Sequence, residues 1–224
     1  MKLQSELCNE RTLFVCDKRS GAIEVCQFSS LSDWLNAGDA IVVAVEKDKQ
    51  VVNTVDDNPS QSWLTKTHFS PISLKRLTSR GVKIAPIHFH VKPLQGFTSK
   101  NHHAQLLQFV VPDETADALN ESSALGHHIL AEGLPVLKIL QAASDELGFY
   151  HGGCGLVKTY EFSSRPRHYS AVDMLLTEIH PPASTDFLLG GSSFAGPVLV
   201  GRVHREAVAR EIYRQESSVA VLFI

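Results

Sequence analysis

Residues 105–131, QLLQFVVPDETADALNESSALGHHILA, carry the clearest signal of fold class. Gln105 to Val111 is a mostly apolar run of strand length. Pro112-Asp113-Glu114 then opens a helix, because proline presets φ in the first turn and the two acids favour the positive end of the helix dipole. His127 to Ala131 reads as a second strand. Strand, helix, strand in this order predicts a βαβ unit with a right-handed crossover, and so an α/β protein.

Upstream of this stretch, Ser70-Pro71 is a helix start and Gly81 a stop, with Leu74 and Leu77 as the buried stripe between them. The β-rich run VKIAPIHFHV (82–91) follows, and Pro86, which cannot donate to a ladder, asks for an edge position or a bulge. Nearer the start, TLFVC (12–16) and AIEVCQF (22–28) flank Lys18-Arg19-Ser20-Gly21, a hairpin turn in which Gly21 takes the positive φ. Ser30 is placed to cap a short helix, LSDWLN, that Gly38 ends; strands are expected at 40–45 and 50–55. The cluster Asp56-Asp57-Asn58-Pro59-Ser60 marks the boundary between a β-rich N-terminal part (1–57) and an α/β core (58–224) within one compact domain.

Downstream, a helix is expected over 135–147, a turn at His151-Gly152-Gly153-Cys154-Gly155, strands at 156–162 and 171–179, helices at 184–194 and 202–214, and a last strand VAVLFI. The chain has 224 residues, 43% of them hydrophobic and 20% charged, which is enough apolar material for a core and excludes a disordered chain. Its net charge of -3 gives no global attraction to nucleic acid, so a polyanion needs a local basic patch. Cys8, Cys16, Cys26 and Cys154 form no CxxC pair, no signal peptide is evident and no apolar run approaches the ~20 residues of a membrane helix. A cytoplasmic protein with reduced thiols and no membrane partner is expected.

A local basic patch exists. Between Asp57 and Asp113 there is no acidic residue, while Lys66, Lys75, Arg76, Arg80, Lys83, Lys92 and Lys100 all fall in or beside that window. These cations could contact RNA phosphates or simply form a solvated helix face. His88 and His90 alternate, so a strand would point both to one face, as a two-histidine metal site requires. No carboxylate or cysteine completes the set nearby, and no metal is expected. In HGGCG, exposed amides could admit a phosphate and Cys154 could act as a nucleophile, but a plain turn explains the same residues. His180-Pro181-Pro182-Ala183-Ser184-Thr185 is more specific. A rigid loop there would present Ser184 or Thr185 as an N-cap, with His180 at the strand end as an acid or base.

Several blocks occur together in one order: GAIEVCQFSSLSDWLNAGDAIVV (21–43), THFS (67–70), GVKIAPIHFHV (81–91), FVVPDETADALN (109–120) and TEIHPPASTDFLLGGSSFAG (177–196). In this the chain resembles the S-adenosylmethionine:tRNA ribosyltransferase-isomerases of queuosine biosynthesis. The resemblance implies an α/β mixed-sheet core domain of that type with a β-rich N-terminal part. It also implies a transferase and isomerase that moves the ribosyl group of S-adenosylmethionine, its co-substrate, onto 7-aminomethyl-7-deazaguanine in tRNA. His90 and His180 match histidines of the family motifs and are the implied catalytic residues. His68, Phe69, Ser184, Thr185, Phe194, Ala195 and Gly196 match substrate-binding blocks.

The chain also departs from the pattern. Glu178 stands where the family carries Asn, and an inserted β-barrel expected between Val55 and Trp63 is almost gone; a homo-oligomer or a partner chain would have to supply that surface. Two further readings accompany the enzymatic one: a non-catalytic paralogue kept as a binding or assembly module, and a metal-dependent enzyme built on His88 and His90.

Overall fold

The computed structural model describes residues 11–45, 68–93, 105–158, 171–179, 190–210 and 219–224, with the side chains of 91–93 and 105 left aside. The strand expected at 50–55, the boundary cluster at 56–60 and the shortened insert lie outside these residues.

Nine strands form one mixed sheet: β1 (Thr12–Cys16), β2 (Ile23–Gln27), β3 (Ala40–Ala44), β4 (Lys83–Pro93), β5 (Gln105–Val111), β6 (Ile129–Glu132), β7 (Gly153–Lys158), β8 (Met174–Ile179) and β9 (Val219–Phe223). Their order across the sheet is β2-β1-β9-β8-β6-β3-β4-β5-β7. Strands β3, β4, β6 and β8 are parallel, so their C-terminal ends share one edge. Strand β9 runs against β8 and beside β1, which brings Arg11 and Phe28, at the start of β1 and the end of β2, to that same edge.

The alternation of side chains along each strand feeds two cores, one per face. Phe14, Val42, Ile87, Val221 and Phe223 belong to the face covered by α2 (Asp113–Ala124), α3 (Leu134–Ala143) and α5 (Pro197–Ala209). Leu13, Val15, Ile41, Val43 and Leu222 face the other way, against a 3-10 helix (Phe28–Trp34) and α1 (Pro71–Ser79). No described helix is long and apolar enough to cross a membrane.

Local signals held where the local chain controls the outcome. Ser70 Oγ accepts from the Ser73 N–H at 3.1 Å, Pro71 opens α1, and Gly81 follows it with φ 87°. Leu77 is buried and Leu74 packs partly against the same core. The 12–28 hairpin forms with Gly21 at φ 71°. Pro86 sits in an interior strand yet keeps an edge: the odd-numbered residues of β4 bond to β3, while pairing with β5 begins only at His88. The missing N–H therefore faces a gap, where Thr115 Oγ1 donates to the Pro86 carbonyl at 2.7 Å.

Three expectations are corrected. The strand-helix-strand of 105–131 is not a βαβ unit: β5 is antiparallel to β4 and two strands separate it from β6, so α2 joins antiparallel strands. The parallel adjacent pair with a helix between is β3, α1, β4. Ser30 is not a cap, since the 3-10 helix already starts at Phe28 after Gln27. HGGCG is not a turn; Gly153 to Gly155 belong to β7, with Gly155 opposite Phe109 on β5. A Cβ at Gly155 would lie 2.6 Å from the ring Cζ of Phe109, which explains a glycine inside a strand.

Candidate active site

Parallel strands expose backbone and side chains at their C-terminal ends, where open α/β sheets place their ligands. Here β6 ends on Glu132 and the adjacent β8 carries Glu178 next to its last residue. Gly133, at φ 91°, turns the chain out of β6 into α3 and donates its N–H to the Leu176 carbonyl at 2.7 Å. That bond fixes the end of β6 against β8, and with it the spacing of the two carboxylates.

Between these carboxylates sits His68, two residues ahead of the Ser70 cap and 7% exposed. Glu132 Oε1 accepts from the His68 main-chain N–H and lies 3.1 Å from ring Nδ1. Against an ionised carboxylate Nδ1 must carry the proton, which leaves Nε2 as the working nitrogen. Nε2 is buried without a hydrogen-bond partner and lies 3.5 Å from Glu178 Oε1. Arg11 Nη2 pairs with that same Glu178 oxygen. The Phe28 ring stacks on the imidazole, with centroids 6.5 Å apart and planes 17° apart, and Arg11 lies over its ring at 5.9 Å. Phe69, 3% exposed, packs against Phe28. A buried imidazole held at one nitrogen by a carboxylate, with the other nitrogen free of a hydrogen bond and facing a second carboxylate, can take up and return a proton.

Of the residues singled out by sequence, His68 and Phe69 are in this cluster. His90 is exposed near the C-terminal end of β4, on the same sheet face but separated from β6 by the strand β3. His88 Nδ1 lies 3.1 Å from the Val45 carbonyl. Among the described residues no group of three or more His, Cys, Asp or Glu side chains is placed to hold a metal. Phe194 stands elsewhere: Lys18 Nζ lies 4.0 Å over its ring and donates to the Asp173 carbonyl, at the end of β8 opposite Glu178. Ala195 and Gly196 follow it in the short α4 (Ser192–Ala195) and its cap. His180, Ser184, Thr185, Lys66, Lys100 and the side chain of Lys92 lie outside the description. On α1, Lys75, Arg76 and Arg80 are exposed, whereas Lys83 pairs with Glu121 at 2.7 Å and holds that carboxyl below the usual range.

Sequence reasoning missed Glu132, Arg11 and Phe28 as site residues and noted Glu178 only as a departure. One signal was present: ILAE-Gly133 ends an apolar strand on an acid just before a glycine and a helix.

The comparisons with known proteins agree on one family. Residues 64–217 match the family model described as Queuosine biosynthesis protein. A protein of Geobacter metallireducens named S-adenosylmethionine:tRNA ribosyltransferase-isomerase is 29% identical over 197 residues, 81% of this chain and 57% of that protein. Proteins of the same name from Moorella thermoacetica and Thermus thermophilus are 32% and 33% identical, covering 74% and 66% of this chain and 48% and 43% of their own length. The chain thus spans about half the length of the curated relatives it matches. A crystal structure of an S-adenosylmethionine tRNA ribosyltransferase from Thermotoga maritima superposes with a TM-score of 0.70 over 98% of this chain and 94% of that one. At 21% identity, that likeness speaks for the fold alone.

Proposed function

Because the chain belongs to the queuosine biosynthesis protein family, we propose that it transfers and isomerises the ribosyl group of S-adenosylmethionine onto 7-aminomethyl-7-deazaguanine in tRNA, in the cytoplasm, with the reaction centred on His68. The observation that carries this reading is the buried imidazole between Glu132 and Glu178, with Nε2 facing Glu178 but making no hydrogen bond. The reaction needs a proton removed beside the sulfonium, an amine brought to the sugar, and a proton delivered as adenine departs. In this reading His68 Nε2 moves one of these protons. Glu132 is a positioning residue: it fixes the ring and its tautomer. Arg11 holds Glu178 in place, and the rings of Phe28 and Phe69 keep water from the imidazole. His90 and His180 remain candidates for the second proton transfer, and the exposed cations of α1 for tRNA contact.

The test is to incubate the protein with S-adenosylmethionine and tRNA carrying 7-aminomethyl-7-deazaguanine, measuring adenine and methionine release and epoxyqueuosine formation. Turnover that falls at least ~10²-fold in a folded His68→Ala variant supports the assignment. Turnover unchanged in that variant removes His68 from the chemistry. Binding of both ligands without turnover assigns the chain to a non-catalytic binding module instead.

A further inference from the structure

A cavity of about 310 Å³ lies between the 3-10 helix and α1, lined in part by Phe69 and by the Phe28 that stacks on His68. This is the size at which small-ligand pockets begin. Its floor is apolar, made of Phe28, Leu31, Phe69 and Leu77, all buried. Arg76 and Arg80 stand at its rim, exposed and one helical turn apart on the same face of α1. Serine hydroxyls complete the lining, and no acidic side chain is part of it.

Two like charges at i, i+4 repel each other, and neither guanidinium has an ion-pair partner among the described residues. Helix α1 contains no acid to relieve them. An anion between the two arginines removes the repulsion, and guanidinium groups match phosphate oxygens in geometry. The apolar floor beside that anion site suits a flat base, and Ser29 and Ser32 suit a sugar, since the Ser73 and Ser79 hydroxyls already bond within α1 and its cap. S-adenosylmethionine offers a carboxylate to the arginines but also brings two cations, its sulfonium and its ammonium, and no phosphate, so the paired guanidinium groups favour a nucleotide over it.

We propose that this cavity takes an unstacked nucleotide of single-stranded RNA, with the base on the Phe28 floor and the phosphate on Arg76 and Arg80. The proposal rests on tRNA being the substrate and deepens it: the nucleotide held is a neighbour of the one that reaches His68, because Phe28 and Phe69 form a wall common to both sites. Single-stranded RNA is recognised by this combination of base burial and backbone cations.

The experiment is fluorescence anisotropy of a labelled tRNA transcript with the full chain across a salt series, beside a thermal-shift titration with S-adenosylmethionine. In Arg76→Gln/Arg80→Gln, tRNA affinity falls about tenfold or more. The slope of log affinity against log salt drops by about 0.7, the contribution of the one single-strand phosphate that the two arginines share. The response to S-adenosylmethionine is unchanged. Ser29→Trp, which fills the mouth from an exposed position, weakens tRNA binding with less effect on the slope. If the unaltered chain binds tRNA and the arginine variant binds it equally well with the same slope, the cavity is not an RNA site. Weaker binding of S-adenosylmethionine in place of tRNA overturns the inference too. An unaltered chain that binds no tRNA overturns both this inference and the functional reading beneath it.

Discussion

One oxygen of Glu132 accepts from both the main-chain N–H of His68 and its ring Nδ1, across 64 positions of sequence. The histidine is thereby held once at its main chain and once at its ring, which orients the imidazole without spending Nε2. Glu132→Gln keeps the shape and removes the charge, so the imidazole loses its fixed tautomer. A fall in kcat of about 10- to 100-fold is expected, comparable to the loss of an outer carboxylate behind a ligating histidine. The pH profile of kcat should change while KM for S-adenosylmethionine stays within about twofold. A uniform loss of folded protein with an unchanged profile would mark Glu132 as a purely structural residue.

The Ser70 cap supports the same site, since it starts α1 two residues after His68. Ser70→Ala removes the acceptor for the Ser73 N–H and should cost about 1 kcal/mol in urea unfolding. Ser70→Asp, which also accepts there, should retain most of the stability. Equal losses in both variants would show that the cap is not what stabilises the helix.

Gly155 is the place where β7 comes closest to the ring of Phe109. Gly155→Ala should destabilise the fold by about 1–3 kcal/mol through forced displacement of that ring. Phe109→Leu in the same chain should recover part of the loss, because the two sites are in contact and their effects are not additive. Simple addition of the two losses in the double variant would contradict the steric account.

Stability should decline on the alkaline side. Burial pushes the Cys16 thiol from an ordinary 9.0 up to about 12, with Arg202 opposing the shift. Burial, with Asp173 nearby, also raises the Tyr150 phenol. Above pH 9 the unfolded chain loses the thiol proton while the folded chain keeps it, so the unfolded state binds fewer protons and stability falls as pH rises. The slope reaches at most about 1.4 kcal/mol per pH unit for one group. Thermal midpoints measured from pH 8 to 11 should fall, and Cys16→Ala should flatten the curve near pH 9–10. A curve identical in the variant would remove Cys16 from the effect.

Much of the fold was legible where neighbouring residues control the outcome. Ser70-Pro71 and Gly81 bracket α1, the 18–21 turn with Gly21 closes the first hairpin, and VAVLFI is the buried β9. Capping, positive φ and apolar runs act within a few residues, so their energies are set before the chain folds. His68 was singled out as well, though as a substrate-binding residue through the resemblance of its Thr-His-Phe-Ser block, while His90 and His180 were given the catalytic roles.

Strand direction and the partners of His68 were not. Nothing in 105–131 distinguishes a parallel from an antiparallel return, because that choice rests on β4 and β7, which pair with β5 from 83–93 and 153–158. Glu132 reads in isolation as an acid at a strand end, and Glu178 as a lone replacement in a motif. Their role appears only when β6 and β8 lie side by side and Arg11 arrives from the start of β1. Apolar periodicity and turn chemistry are local free energies written in the chain. A buried charge network is a property of the assembled sheet, since its members become expensive to leave unpaired only once packing has taken them out of water.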